Sequence, residues 1–599
     1  MANERKTEAF VRNHFKNYSD FIDLEEQQSD NPKIKKLLQT ASKSGGGRGN
    51  PEFIISYNQN SEFVTVIECK ADSRKHESIE RDRFADFAVD GALLYSSYLS
   101  KEFDVLAIAV SGENEKQAKV SHFLQLKNEK TAVPIFGNEL LTAKDYLDGY
   151  LKSPEKFRQD YNTLLDFSRE LNETLHSHKI LESQRSLLIS CILIALEDEP
   201  FRKAYKSYHI ASELANFLVD TVVNNLRRAN IQSTKLNNLN IEFGFIRTDM
   251  SLSTKQGVLK QLIDDIDENI NSFIKNHEYY DVLGQLYIEF LRYANSDSGL
   301  GIVLTPPHIT EFFSDLAQVN KHSVVYDNCT GTGGYLISAM SKMVKDAKGD
   351  QKAEASIKEH QLLGVEYQAH IFALACSNMF IHQDGKTNIL NGDCFDQSII
   401  DTVKARKPTV GFLNPPYKAK NNDKEELDFV LNNLECLQVG GTCIAIVPMQ
   451  CALTQKSKVN ELKKKLLEKH TLQAVLSMPN ELFVNSNVAV VSCVMIFTAN
   501  QPHPKSKETY FGYYKDDGFV KRKNKGRLDV YGVWESVKEK WVSYFFNRKA
   551  EAGFSVNKVV TADEEWCAEA YMETDYSKLL KEDFTNEIKK YVAFNVLNQ

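Results

Sequence analysis

The chain has 599 residues, 73 Lys plus Arg against 81 Asp plus Glu (formal net charge −8), 42% hydrophobic and 26% charged, which at about 100–200 residues per domain predicts three to five domains and excludes collagen-like, disordered and disulfide-scaffold classes. No apolar run reaches the roughly 18 residues of a membrane span, and the N-terminus is charged from Glu4 without an apolar core, so neither membrane insertion nor secretion is expected. Ten cysteines without a C-x-x-C pair suit a reducing cytoplasm, and the acidic balance leaves any DNA contact to local basic surface or to a partner.

Residues 1–140 alternate helix-like and strand-like patterns and read as a small α/β domain. Helix signals at Arg5 to Phe15 and Lys33 to Ala41 precede Gly45, Gly46, Gly47 and Gly49, then the strand-like runs Phe53 to Tyr57 and Phe63 to Ala71. A helix is expected from Ile79 to Leu99, with a strand at Phe103 to Val110. Residues 141–298 are almost wholly helical in period, including Leu187 to Leu196 and Tyr279 to Tyr293. Residues 299–500 alternate again, with strands at Ser323 to Tyr326, Leu362 to Glu366, Thr387 to Asp393, Val410 to Leu413, Thr442 to Val447, Gln473 to Ser477 and Val488 to Thr498. That alternation predicts a mostly parallel sheet wrapped by helices. Residues 501–599 are polar, with a basic run at Lys521, Arg522, Lys523, Lys525 and Arg527, and read as a helical tail.

The strand ends of the third region carry a candidate small-molecule site. Asp327-Asn328-Cys329-Thr330-Gly331-Thr332-Gly333-Gly334 joins a strand to a helix, where glycines admit a ligand close to outward-pointing N–H groups, although a tight connection needs no ligand. Glu366 ends the next strand, where doubly wound folds put an acid on ribose hydroxyls; a solvated strand-end glutamate is the alternative. Asp393, after the third strand, could accept from an adenine amino group. Thr305-Pro306-Pro307-His308 has a potential N-cap and a proline at a helix start.

Asn414-Pro415-Pro416-Tyr417 ends the fourth strand. Two prolines stiffen the backbone and cannot donate, leaving the Pro415 carbonyl and the Asn414 side-chain oxygen to accept from an exocyclic amine. An amine bonded to both loses conjugation and becomes nucleophilic toward a sulfonium methyl, while Tyr417 offers a face to an extruded base.

These residues resemble the amino-group DNA methyltransferases whose cofactor motif precedes the catalytic one, as in type I methylation subunits, over roughly residues 280–500. The resemblance implies a Rossmann-like sheet, S-adenosylmethionine as donor and adenine N6 as acceptor. It assigns Thr305 and Pro306 to the methionine moiety, Asp327, Thr330, Gly331 and Gly333 to the cofactor, Glu366 to its ribose, Asp393 to its adenine, and Asn414, Pro415, Pro416 and Tyr417 to the target base. Release-factor glutamine methyltransferases share N-P-P-Y, but their short chains do not account for the N-terminal region.

A second site lies in residues 1–140. On the strand Phe63 to Ala71 the two-residue period puts Glu68 and Lys70 on one face and turns Cys69 away. A hairpin would bring Glu52 beside Glu68, so that two carboxylates could hold Mg2+ while Lys70 positions the attacking water. Glu-x-Lys also recurs as a plain surface pair. The order Pro51-Glu52, strand, Glu68-Cys69-Lys70, helix, strand resembles the PD-(D/E)xK nuclease fold, with Glu52 for the usual aspartate. Glu8 is a candidate extra metal ligand or a solvated helix residue, and Asp90 and Tyr95 have surface and core readings.

Nuclease and adenine methyltransferase in one chain resemble the restriction–modification subunits of BcgI-like type IIB enzymes over the full length. The resemblance implies double-stranded DNA as substrate, a separate specificity subunit docked on the tail, and further copies of the chain in a hetero-oligomer. Two rival readings are a methyltransferase whose nuclease-like domain only binds DNA, and a scaffold that binds S-adenosylmethionine as an effector. Gly385-Lys386-Thr387 is no phosphate loop, because Phe380 stands where the earlier glycine is required.

Overall fold

The computed structural model describes residues 4–43, 47–114, 116–228, 233–277, 280–292, 303–383, 388–418, 420, 422–453, 457–484, 490–522, 526–575 and 580–597. Gly45, Gly46, Tyr279, Tyr293, Gly385, Lys386, Thr387, Val488, Lys523 and Lys525 lie outside the described residues. The chain forms two compact units, Met1–Asn162 and Thr163–Gln599. Among the described residues no helix is long and apolar enough to cross a membrane.

The first unit is built on a six-stranded sheet: β1 (Ile22–Glu26), β2 (Phe53–Tyr57), β3 (Asn60–Lys70), β4 (Asp104–Ser111), β5 (Lys119–Gln125) and β6 (Val133–Pro134), in spatial order 1 to 6. All neighbours are antiparallel except β3 and β4, which the helix Ala88–Leu99 connects in parallel. Helices cover both faces, so β3 and β4 read as near-continuous apolar runs. Val11, Phe15, Phe53, Phe63 and Cys69 fill one side, and Ile34, Leu38, Val66, Val89 and Tyr95 the other.

Three expectations for this region are corrected. The helix expected from Ile79 begins at Ala88, and Ile79 is 98% exposed. Asp90 holds the preceding segment in a loop instead: its buried carboxylate accepts from the backbone N–H groups of Ser78 (3.1 Å) and Arg83 (2.8 Å) and from the Ser78 hydroxyl. β1 and β5 were not foreseen, because the acidic Ile22–Glu26 and the polar-rich Lys119–Gln125 take their strand character from pairing rather than from pattern. The boundary expected at residue 140 lies too early. The helix Ala143–Leu151 puts Tyr146, Leu147 and Tyr150 into the first core, Tyr150 stacking on Phe63 at 4.0 Å and donating to buried Asp104 at 2.5 Å.

In the second unit the expected helical and α/β domains are one body. The apolar run Leu187–Leu196 lies in the helix Glu182–Leu196, buried on every side. One of its neighbours is the helix Ala369–Ile381, which belongs to the sheet layer. The sheet comprises β7 (Val325–Asp327), β8 (Leu362–Glu366), β9 (Ile389–Asn391), β10 (Val410–Leu413), β11 (Thr442–Pro448), β12 (Thr471–Ser477), β13 (Ser492–Thr498), β14 (Glu508–Tyr513) and β17 (Ser555–Val559). Their order is 17-14-12-13-11-10-7-8-9, with β13 and β17 antiparallel to their neighbours. Strand order reverses at β7, between β10 and β8, which opens a crevice at the carboxyl ends of these strands.

The tail expected at 501–599 is mostly not a tail. β14 and β17 extend the sheet, a small hairpin of β15 (Val520–Arg522) and β16 (Gly526–Leu528) follows, and Trp541 of the helix Trp534–Phe546 stacks on Tyr514 at 4.6 Å. Only Lys581–Leu597 matches the expected helical tail, with Leu580, Phe584, Ile588, Tyr591 and Val592 exposed.

The corrected boundary predicts how fragments behave. A fragment ending at residue 162 should unfold in one cooperative transition in urea, whereas one ending at 140, stripped of Tyr146 and Tyr150, should show no cooperative transition by circular dichroism.

Candidate active sites

In the second unit the loops after β7, β8, β9 and β10 surround a cavity of about 350 Å³, within the range of small-molecule pockets. Thr305, Thr330, Gly331, Glu366, Asp393, Asn414, Pro415 and Pro416 line it, while Pro306, Asp327, Gly333 and Tyr417 do not. The loop after β7 turns through Gly331 (φ +56°) and Gly333 (φ +91°), left-handed conformations that a side chain would strain. Glu366 fastens it, accepting from Gly331 N at 3.0 Å and from Gln368 N at 2.9 Å. Burial raises the Glu366 pKa, and these N–H groups moderate the rise. Asp393 accepts from Phe395 N at 3.0 Å.

Asp327 lies beneath the loop rather than in the cavity. It is fully buried, accepts from Cys329 N at 2.9 Å and leaves Oδ2 without a partner among the described residues. Burial pushes its pKa up to about 8; the Cys329 N–H opposes the rise and nearby Glu366 adds to it. Thr305 is not the expected helix cap, since Pro306 occupies that position before the helix Pro307–Leu316. Its hydroxyl turns instead to the Tyr335 hydroxyl (3.3 Å) and to Asn414.

Asn414 has a divided environment. Its Nδ2 donates to Val303 O at 2.7 Å and Thr305 Oγ1 at 3.1 Å, while buried Oδ1 has no partner among the described residues. A buried amide oxygen left open costs on the order of 1–3 kcal/mol, a cost that a donor on a ligand would relieve. Tyr417 leans away from the cavity, its ring edge-on to Phe483 at 6.1 Å.

Two contributors were not picked out from the sequence. Asp281 lines the cavity and ties three segments together, accepting from Gly284 N (2.8 Å), Thr332 Oγ1 (3.1 Å) and Asn378 Nδ2 (2.6 Å). An aspartate just before an apolar helix was the available signal. Asn328, Asn432 and Asn433 form a buried amide chain that joins the β7 loop to the helix Glu426–Cys436. Nothing in their spacing announces it.

In the first unit the antiparallel register Phe53↔Ile67 puts Glu52 across from Glu68 on the next rung. Glu68 is fully buried, and among the described residues Glu52 Oε2 and Glu68 Oε1 each lack a partner. Lys43, not anticipated, lies between them, its Nζ 2.5 Å from Glu68 Oε2 and 3.8 Å from Glu52 Oε1. Burial holds the Glu68 pKa well above the usual carboxylate range, contact with Glu52 adds to this, and Lys43 opposes it. Lys70 does not reach the pair in this arrangement, because its Nζ donates to Glu4 Oε1 at 2.8 Å. Glu8 is near Glu52 and Glu4, and burial followed by their charges raises its pKa. Among the described residues no group of three or more His, Cys, Asp or Glu side chains is placed to hold a metal ion. Two facing carboxylates with open oxygens and a cation already between them nonetheless fit a hard divalent ion.

Residues 278–596 match the N-6 DNA Methylase family. The chain belongs to that family. N-6 DNA methylases transfer a methyl group to adenine N6, with S-adenosylmethionine as donor. Over 99% of this chain and 97% of the relative, it is 29% identical to the type II restriction enzyme and methyltransferase RM.BcgI of Heyndrickxia coagulans. Over 52% of this chain and 59% of the relative, it is 26% identical to the type I restriction enzyme MpnII methylase subunit of Mycoplasma pneumoniae. The crystal structure of a type I restriction-modification methyltransferase subunit from Streptococcus thermophilus superposes with a TM-score of 0.50 at 16% identity, covering 69% of this chain and 99% of that one, which establishes a shared fold.

The buried acid beneath the loop yields a pH prediction. Because the folded-state pKa of Asp327 is raised, its stabilising contribution is complete below about pH 4 and is lost as pH rises toward 8. Asp327→Asn should therefore match the parent in urea titrations at pH 4 and exceed it increasingly up to pH 8.

Proposed function

We propose that the chain is a bifunctional restriction–modification subunit: it methylates adenine N6 within a DNA site and cleaves DNA lacking that mark, together with a separate specificity subunit. The observation that carries the methylation half is the open Oδ1 of Asn414 beside an anchored Nδ2. Oδ1 and the Pro415 carbonyl would accept from the adenine amine and raise its nucleophilicity. Glu366 would bind the ribose and Asp393 the adenine of the cofactor, with Thr305, Thr330 and Gly331 at its other contacts. When bound, S-adenosylmethionine supplies an electrophilic methyl group. Asp327, Gly333 and Pro306 would shape the loops from behind. Tyr417 would have to rotate away from Phe483 to stack on an extruded base.

The cleavage half rests on Glu52 and Glu68, and on the whole-length likeness to a relative whose name joins restriction enzyme and methyltransferase. The two carboxylates would hold Mg2+, which when bound supplies charge for the phosphoryl transition state and an acidified water. Lys70 would release Glu4 to orient that water. Glu68→Gln should abolish cleavage of unmethylated DNA and leave methylation intact. Asn414→Asp should do the reverse, lowering methyl transfer by about 10²–10³-fold. Gel analysis of breaks and tritium transfer from labelled cofactor, with the specificity subunit present, measure the two separately. Unbroken DNA that gains N6-methyladenine under every metal condition would instead make the first unit a DNA-binding module.

We also assign the exposed apolar residues of Lys581–Leu597 to the specificity subunit. Deleting 581–597 should abolish co-elution with that subunit in size-exclusion chromatography while cofactor binding by the chain stays unchanged.

A further inference from the structure

Lys43 is the unexplained member of the carboxylate site. Glu52 and Glu68 meet with little access to water, and ionising both there calls for a compensating cation. The only cation that touches both among the described ion pairs is the Lys43 ammonium. Its position is braced from several sides. Nζ lies 5.4 Å from the ring centre of Tyr95, whose hydroxyl accepts from Asn50 N at 3.2 Å. Gly49 packs so tightly that an added Cβ would meet Tyr95 Cε1 and Ala41 O at 2.6 Å each. Tyr95 therefore lies against both Lys43 and Gly49–Asn50, and the lysine side chain is only 19% exposed.

A lysine bonded at 2.5 Å to Glu68 Oε2 and a divalent ion on that same oxygen repel each other, so each disfavours the other there. We propose that Lys43 is a resident counter-ion that competes with divalent metal for Glu52 and Glu68: metal binding requires its ammonium to leave, and its departure exposes it to solvent. The proposal rests on the metal-dependent reading of this site and adds a competitor to it. It also accounts for a geometry in which Lys43 compensates the carboxylates while Lys70 is held by Glu4.

The test uses the full chain stripped of metal and Mn2+ as the probe, with free Mn2+ read by electron paramagnetic resonance. Lys43→Met, which keeps the stem and removes the charge, should bind Mn2+ about ten-fold tighter than the parent or better, and Lys43→Arg should stay near the parent. Glu68→Gln should lose the binding in every background. A second readout needs no variant: reductive methylation of Lys43 in the parent chain, mapped by peptide mass, should rise several-fold when Mn2+ is added. Equal Mn2+ affinity in parent and Lys43→Met, with unchanged labelling, would overturn the competition while leaving the metal site standing. No Mn2+ binding by the parent or by Lys43→Met would overturn both.

Discussion

Among the described residues the carboxamide of Asn414 is fixed through its amino group, by Val303 O and Thr305 Oγ1, and the walls of the cavity are arranged around that constraint. Thr305 can take part only because Pro306, not Thr305, occupies the helix cap. β10 can deliver Asn414 to the crevice only because it pairs with β7, whose following loop forms the opposite wall. Glu366 and Asp281 then immobilise that loop from the neighbouring strand and from a helix. A reactive amine gains nucleophilicity only if its acceptors are already oriented, and here packing, rather than ligand, sets the orientation.

The two candidate sites handle buried acid differently. Around the cavity Glu366 and Asp281 are compensated by neutral N–H and O–H donors, an arrangement that fixes backbone without bringing in a cation. In the first unit Glu52 and Glu68 keep open oxygens and are compensated by a lysine. Dipolar donors suit a site that must keep one shape, while an ammonium suits a site whose cation is exchangeable.

Much of both sheets was legible because their central strands are buried on both faces: β2, β8 and β10 fall on the expected runs, and β3, β4, β7 and β11 differ by a few residues at their ends. β1, β5 and β17 were not, since strands with polar or acidic composition owe their conformation to a partner, and the aromatic β14 was hidden in a region whose overall composition is polar. The helix Ala143–Leu151 was assigned to the wrong domain for a related reason. An amphipathic helix shows that it has a buried face, not which core receives it.

Local chemistry came from the sequence by itself: a stiff Asn-Pro-Pro-Tyr at a strand end, a glycine turn between strand and helix, a Glu-x-Lys face opposite Glu52. Such features depend on neighbours within a few bonds, which backbone sterics and two-residue periodicity dictate. Tertiary structure alone decided that Asp327 and Gly333 stand behind the cavity, that Tyr417 faces Phe483, that Lys70 bonds Glu4, and that Lys43 sits between the carboxylates. Each of these pairs residues that periodicity leaves unconnected, and the free energy of burying charge and surface, not local preference, selects among such pairings.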